Sequence, residues 1–240
     1  MKQYIKNEFR KYNIELNQLQ LDKFENYLNY LLEENTKFNL TAITDKKQIV
    51  IKHFIDSILP YDIFKKDASV VDIGAGAGFP SVPLMILRPD LRFLIIDSVN
   101  KKVEFIKRVC GLLDLHNCEI LHTRCEDCAK KVEYREKYDY CIARGVANLS
   151  SLLEYCVGFI QVNGNIVAYK SKNYQQELDN SKNAIKLLNV KLVNVLNFKL
   201  VNEQEKFEEM ERNVLIFEKT LKTSDKYPRL QNKVRNNPLN

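Results

Sequence analysis

The stretch VVDIGAGAGFPSVPL, residues 70 to 84, constrains this chain more than any other. It gathers three of the seven glycines, Gly74, Gly76 and Gly78, directly after an apolar run and directly before a proline. Val70, Val71 and Ile73 are β-branched, so the run reads as a strand buried on both faces that stops at Gly74. Beyond Phe79, the apolar residues Val82, Leu84, Met85 and Leu87 suit a helix, with Pro80 and Pro83 in its first turn, where a missing N–H costs little. Strand, glycine turn and helix together offer unpaired N–H groups and a positive dipole end to a ligand that glycines allow to come close. An ordinary strand-to-helix turn needs only one or two glycines.

The order D-x-G-x-G-x-G argues about the ligand. A dinucleotide fingerprint would need glycine where Phe79 stands and has no use for Asp72. The loop resembles motif I of the S-adenosylmethionine-dependent methyltransferases, with a nicotinamide or flavin as the competing reading at this point. Asp72 would supply a carboxylate to the ammonium end of a zwitterionic ligand or to loop amides. Next, RFLIID predicts a second strand ending in Asp97, whose carboxylate suits ribose hydroxyls in either nucleotide class. Asp97 or Ser98 could instead cap the following helix, along which Val99, Val103, Ile106, Cys110 and Leu113 form one apolar stripe.

With 240 residues, 45% of them apolar, the chain can bury one substantial core plus an extension. No apolar run approaches the roughly 20 residues of a membrane span, and the charged start MKQYIKNEFRKYN lacks the apolar centre of a signal peptide, so a cytoplasmic, non-membrane and monomeric protein is expected. Six cysteines are too sparse for a disulfide scaffold. Cys125-x-x-Cys128 lies near His116, Cys118 and His122, but no second such pair exists to complete four convergent ligands, and no metal is expected. Lys and Arg number 37 against 31 Asp and Glu, and from Lys219 to Arg235 six basic residues face the single acid Asp225. Such a tail is either a solvated terminus or a phosphate-backbone contact.

Residues 1–66 read as a helical extension: Phe24, Tyr27, Leu28 and Leu31 recur at helical spacing, as do Val50, His53, Phe54, Ser57, Ile58 and Tyr61. Residues 67–220 read as the cofactor-binding domain, and 221–240 as the basic tail. Strands are predicted at CEILHTR, YDYCIARG and NGNIVAYKSK, with apolar or helical segments between and after them. Strands alternating with helices imply a parallel sheet with right-handed crossovers. VKLVNVLNFKL and RNVLIFEKT, joined by the acidic VNEQEKFEEME without a crossover helix, read as an antiparallel pair. The expected fold is therefore α/β, a Rossmann-like class I methyltransferase sheet that is mostly parallel with a terminal antiparallel hairpin, plus the N-terminal helices. The hairpin separates this arrangement from nicotinamide-binding domains.

At this resolution the chain resembles one family, the 16S ribosomal RNA guanine-N7 methyltransferase G family, also called glucose-inhibited division protein B. KFNLTAI, HFIDSI, DIGAGAGFPSVPL, LIIDSVNKK, RCE, CIARGVA, VAYKSK and KYPR follow the family's order and spacing over nearly the whole chain. The resemblance implies S-adenosyl-L-methionine as cofactor, contacts from Gly74 and Phe79 in the loop, from Cys125 and Glu126 after the third strand and from Arg144 after the fourth, and transfer to a guanine in the 530 loop of 16S ribosomal RNA, free or within the small ribosomal subunit. The chain departs from the family at Ser81, usually glycine, at Ala143 and Gly145 around the arginine, at Ser171 after Lys170, and beyond KYPR, where LQNKV replaces a Gly-x-Pro segment.

Chemistry bears on the same point. Methylation of an exocyclic amine generally uses an Asp/Asn-Pro-Pro-aromatic cluster after the fourth strand, where ARGVAN stands, and Cys141 lies within a strand rather than exposed for pyrimidine C5 attack. Guanine N7 carries a free lone pair, so in-line transfer needs alignment and exclusion of water but no general base, and no acid–base residue is assigned. Arg144, Lys170, Tyr227 and Arg229 are the expected RNA contacts: guanidinium and ammonium for phosphate or a base edge, tyrosine for stacking. His53, on an apolar helix face, reads as a core histidine. A small-molecule methyltransferase, or an RNA-binding module on a vestigial methyltransferase fold, are the alternatives.

Overall fold

The computed structural model describes residues 1–202 and 208–240; residues 203–207 of the acidic stretch lie outside the described residues. Two N-terminal helices, α1 (Lys2–Arg10) and α2 (Gln18–Phe38), precede a third helical stretch. That stretch begins as α3 (Lys46–Ile49), widens into a π-helical turn (Val50–Ile55) and closes as α4 (Asp56–Ile58). Asn17 caps α2 through a reciprocal box with Gln20.

The α/β part alternates as the periodicity predicts. β1 (Ser69–Ile73), α5 (Ser81–Leu87), β2 (Arg92–Asp97), α6 (Asn100–Leu112), β3 (Cys118–His122), α7 (Cys125–Cys128), β4 (Tyr138–Arg144), α8 (Leu149–Val157) and β5 (Ile160–Lys170) follow in turn. Two short helices, α9 (Tyr174–Asn180) and α10 (Lys182–Leu187), lead to β6 (Val190–Asn202) and β7 (Glu208–Lys219). The seven strands form one sheet ordered β3-β2-β1-β4-β5-β7-β6, parallel from β3 to β5, with β7 antiparallel to both β5 and β6. This is the expected Rossmann-like sheet with its terminal hairpin. The sheet order turns between β1 and β4, the position where open α/β sheets form a crevice at their carboxyl ends.

The period of two along β1 sorts its side chains. Val70 joins the core shared with the N-terminal helices, whereas Val71 and Ile73 join the core under α8. Phe9, Phe24, Tyr27 and Phe54 pack in the first of these cores together with Val82 and Met85 of α5, so the N-terminal helices share a core with the sheet rather than forming one of their own. Tyr27 stacks on Phe54 with centroids 5.2 Å apart, and its hydroxyl donates to the Ala77 carbonyl, bracing the glycine loop from behind. None of the described helices is long and apolar enough to cross a membrane.

The tail departs from a solvated terminus. Lys219 is fully buried and donates to the carbonyls of Val157 and Ile160 and to Glu136. After it the chain runs back across the sheet domain to a C-terminal helix, α11 (Gln231–Asn236), which packs on α8.

Candidate cofactor and base sites

The glycine loop turns on three residues with positive φ, 69° at Gly74, 63° at Gly76 and 90° at Gly78. Their surroundings differ. A Cβ on Gly78 would stand 2.7 Å from Val82 and 3.0 Å from the Tyr27 hydroxyl, and one on Gly74 would stand 2.9 Å from Val146, so both are held small by the protein's own packing. At Gly76 a Cβ would meet nothing within 4 Å. Of the three, Gly76 alone has room for a Cβ, while Gly74 is the most exposed.

Asp97, at the end of β2, accepts from the Gly76 N–H at 2.9 Å through Oδ2 and from the Val99 N–H at 2.9 Å through Oδ1. It thereby ties the loop to the start of α6, and a carboxylate with about four acceptor positions keeps capacity for hydroxyls. Asp97 and Ser98 line a cavity of about 410 Å³ with Gly74, Cys125 and Glu126. Cys125 is held as a thiol, its pKa raised by burial and by the neighbouring Glu126, whose Oε2 accepts from it at 3.2 Å. Cys128 is buried, with its pKa pushed up to about 12 by burial. Among the described residues no group of three His, Cys, Asp or Glu side chains converges as metal ligands would.

Asp72 stands behind this cavity. The strand period turns it towards α5, where Oδ2 accepts the Ser81 N–H at 3.2 Å, while Oδ1 and the Ser81 hydroxyl are buried without partners. Of the two roles expected for its carboxylate, the contact present is the one to a backbone amide. Burial raises its pKa to about 7. Phe79 likewise faces inward, stacked on His53 at 4.5 Å with the Arg144 guanidinium 5.1 Å over its ring. His53 is held neutral, lowered to about 4 by burial and then by Arg144, and its Nε2 lies 2.8 Å from the Thr41 hydroxyl.

A second cavity, of about 300 Å³, opens at the carboxyl ends of β4 and β5. Arg144 and Arg212 clamp the two oxygens of Asp56, each at 2.9 Å, and Arg144 also approaches the carbonyls of Lys52 and His53 on the π-helical turn. Lys170 donates to Glu177 at 2.6 Å and to the Ala147 carbonyl at 3.0 Å. Three cations thus face two carboxylates, which leaves the walls net positive. Ala147 lines both cavities, so the segment after β4 divides them.

Arg144 and Lys170, expected from the sequence as RNA contacts, lie here with Asp56, Glu177 and Arg212, which no sequence pattern singles out. Asp56 sits within the quoted HFIDSI, but nothing local reveals that its partners lie 88 and 156 residues away. Tyr227 and Arg229, the other expected RNA contacts, are engaged within the fold. Tyr227 is 5% exposed and offers no face for stacking. Arg229 is bound through Nε and Nη2 to Glu154, which is fully buried in α8 and requires a cation.

Known proteins resemble this chain along its length. The GidB family model, rRNA small subunit methyltransferase G, matches residues 20–207. A ribosomal RNA small subunit methyltransferase G from Acetivibrio thermocellus is 42% identical over 95% of this chain and 92% of its own length. The Lactobacillus helveticus protein of that name is 40% identical over 97% and 96%. Among solved structures, M. jannaschii TYW2 in complex with AdoMet superimposes with a TM-score of 0.52 at 17% identity, covering 70% of this chain and 76% of that one. The ribosomal protein L11 methylase of Lactobacillus delbrueckii subsp. bulgaricus gives 0.53 at 15% identity, with 71% and 79% covered. Both share the fold.

Proposed function

The chain belongs to the rRNA small subunit methyltransferase G family, and on that premise we propose that it transfers a methyl group from S-adenosylmethionine to N7 of a guanine in the 530 loop of 16S ribosomal RNA. The observation that carries this reading is the pair of cavities divided by the segment after β4: one has the donor set of a nucleoside site, the other is walled by cations.

The cofactor site fits its ligand on the chain's own chemistry. Gly74 brings bare backbone to the cavity wall, Asp97 and Glu126 offer carboxylate oxygens to hydroxyls and an amino group, and the neutral Cys125 and Val146 offer apolar contact. Asp72 acts through the loop, holding the first amide of α5. When bound, S-adenosylmethionine supplies an electrophilic sulfonium methyl.

The second cavity takes the base. Arg144, pinned by Asp56 and by carbonyls of the π-helical turn, presents a fixed guanidinium, and a group that is already ordered loses little entropy on binding. Lys170 and Arg212 add positive potential for the phosphates that flank a flipped-out base. No side chain has to remove a proton, because N7 has none. His53, stacked on Phe79 and beside Arg144, has its pKa lowered to about 4, which makes it a weak proton acceptor, and it serves as support for Arg144.

The test is methylation of a 530-loop RNA fragment and of small ribosomal subunits by the purified protein, followed by borohydride and aniline treatment, which cleaves chains at N7-methylguanine. Cleavage at a single guanine is expected. Methyl incorporation without cleavage would refute the N7 assignment, and incorporation into small molecules but not RNA would refute the RNA substrate.

A further inference from the structure

The C-terminal segment is docked by internal hydrogen bonds. Glu154, fully buried, accepts from the Arg229 backbone N–H at 2.8 Å as well as from its guanidinium. The Arg135 guanidinium donates to four carbonyls, those of Ala129, Thr223, Ser224 and Tyr227, and so gathers the segment before Arg229 onto the body. Beyond Arg229, Val234 is fully buried against α8, and the Ser151 hydroxyl donates to its carbonyl at 3.0 Å. The Ser150 hydroxyl lies 2.8 Å from Asn240 Oδ1. An arm that leaves the body to follow RNA would have to abandon Glu154 as an unpaired buried carboxylate.

What the docking delivers is Arg235. It lines the nucleoside cavity with Ser151 and Tyr155 of α8, beside Cys125 and Glu126. We infer that residues 220–240 are a wall of the cofactor pocket and that Arg235 is a cofactor-contacting residue, covering the adenine with its guanidinium plane and methylene stem. This rests on reading that cavity as the S-adenosylmethionine site. A planar, delocalised cation on an apolar stem suits the face of an aromatic base. Its neighbour Val234 anchors the backbone, so covering the ligand orders only one side chain. Of the other cations in the segment, Lys219 and Arg229 are neutralised by buried or half-buried acids, Lys226 lies over the Tyr227 ring at 4.9 Å, and Lys222 and Lys233 are exposed.

Calorimetric titration of S-adenosylmethionine into the full-length protein tests this, with Arg235→Ala and Arg235→Lys compared with wild type, and with RNA affinity measured across a salt series in parallel. Arg235→Ala should weaken cofactor binding three- to tenfold, with Arg235→Lys intermediate because it keeps the charge and loses the plane. The cofactor-free melting temperature should not move, since Arg235 is exposed. Wild-type cofactor affinity in Arg235→Ala overturns the inference, as does an effect confined to the salt dependence of RNA binding. A wild-type protein that takes up no S-adenosylmethionine would overturn the cofactor reading itself, and the inference with it.

Discussion

Asp72→Asn should change how stability depends on pH, and its magnitude follows from burial. The side chain is fully enclosed beneath α5, with one oxygen bonded to the Ser81 amide and the other without a partner. Burial pushes its pKa up to about 7, against about 3.9 in an unfolded chain. Between those values the folded protein holds a proton that the unfolded chain has released, so stability is greatest below about pH 4 and falls as pH rises to about 7. Roughly three pH units at about 1.36 kcal/mol each amount to about 4 kcal/mol lost by neutral pH. Asparagine has the same shape and never ionises. It adds a constant cost for an unpaired amide N–H, about 1–3 kcal/mol, which does not vary with pH. The unfolding free energy of Asp72→Asn minus that of wild type should therefore rise by up to about 4 kcal/mol from pH 4 to pH 8. Urea unfolding of both cofactor-free proteins at four pH values across that range measures the difference, in which every other titrating group cancels. Parallel curves would show that Asp72 is ionised and solvated in the fold, and would refute the argument from its enclosure.

His53 carries the opposite sign. Its folded value of about 4 lies below the ordinary 6.5, so stability present above pH 6.5 is lost as pH falls towards 4, by about 3 kcal/mol, and His53→Gln should flatten that acid limb in denaturant titrations. Arg229→Ala strands the buried Glu154 and should cost about 3–5 kcal/mol, whereas Glu154→Gln with Arg229→Met, which removes both charges, should cost far less; equal losses in chemical unfolding would deny the pair its role. Asp97→Ala releases the Gly76 and Val99 amides and the hydroxyl acceptor together, so calorimetry should show cofactor affinity down by about 1–3 kcal/mol, and unchanged binding would take Asp97 out of the site.

Short-range patterns were legible and long-range partnerships were not. The strand at Val70–Ile73, its glycine turn, the helix after Phe79 and the hairpin at the end of the sheet each follow from contiguous residues. Arg144 could be picked out by the resemblance of CIARGVA and Lys170 by its place near the end of a predicted strand. Asp56 could not be recognised as their neighbour, since it lies in the N-terminal helical stretch and meets Arg144 and Arg212 only when that stretch packs across the strand ends. Glu154 sits in LSSLLEYCV, where one acid in an apolar helix carries no sign of the arginine that will satisfy it.

By itself, the sequence determined the order of the strands, the class of sheet and the place of the glycine loop. Backbone conformation at glycine and proline, and the burial of alternating or helically spaced apolar residues, are properties of neighbours along the chain. The tertiary structure alone decided what the charges do. The pairing of a cation depends on which distant carboxylate is brought within about 4 Å of it, and burial makes that pairing obligatory. For that reason Asp72 faces a helix amide rather than open solvent, Arg144 is clamped by Asp56 at the second cavity, and a tail whose composition suits RNA lies against α8 with Lys219 and Arg229 turned inward onto acids.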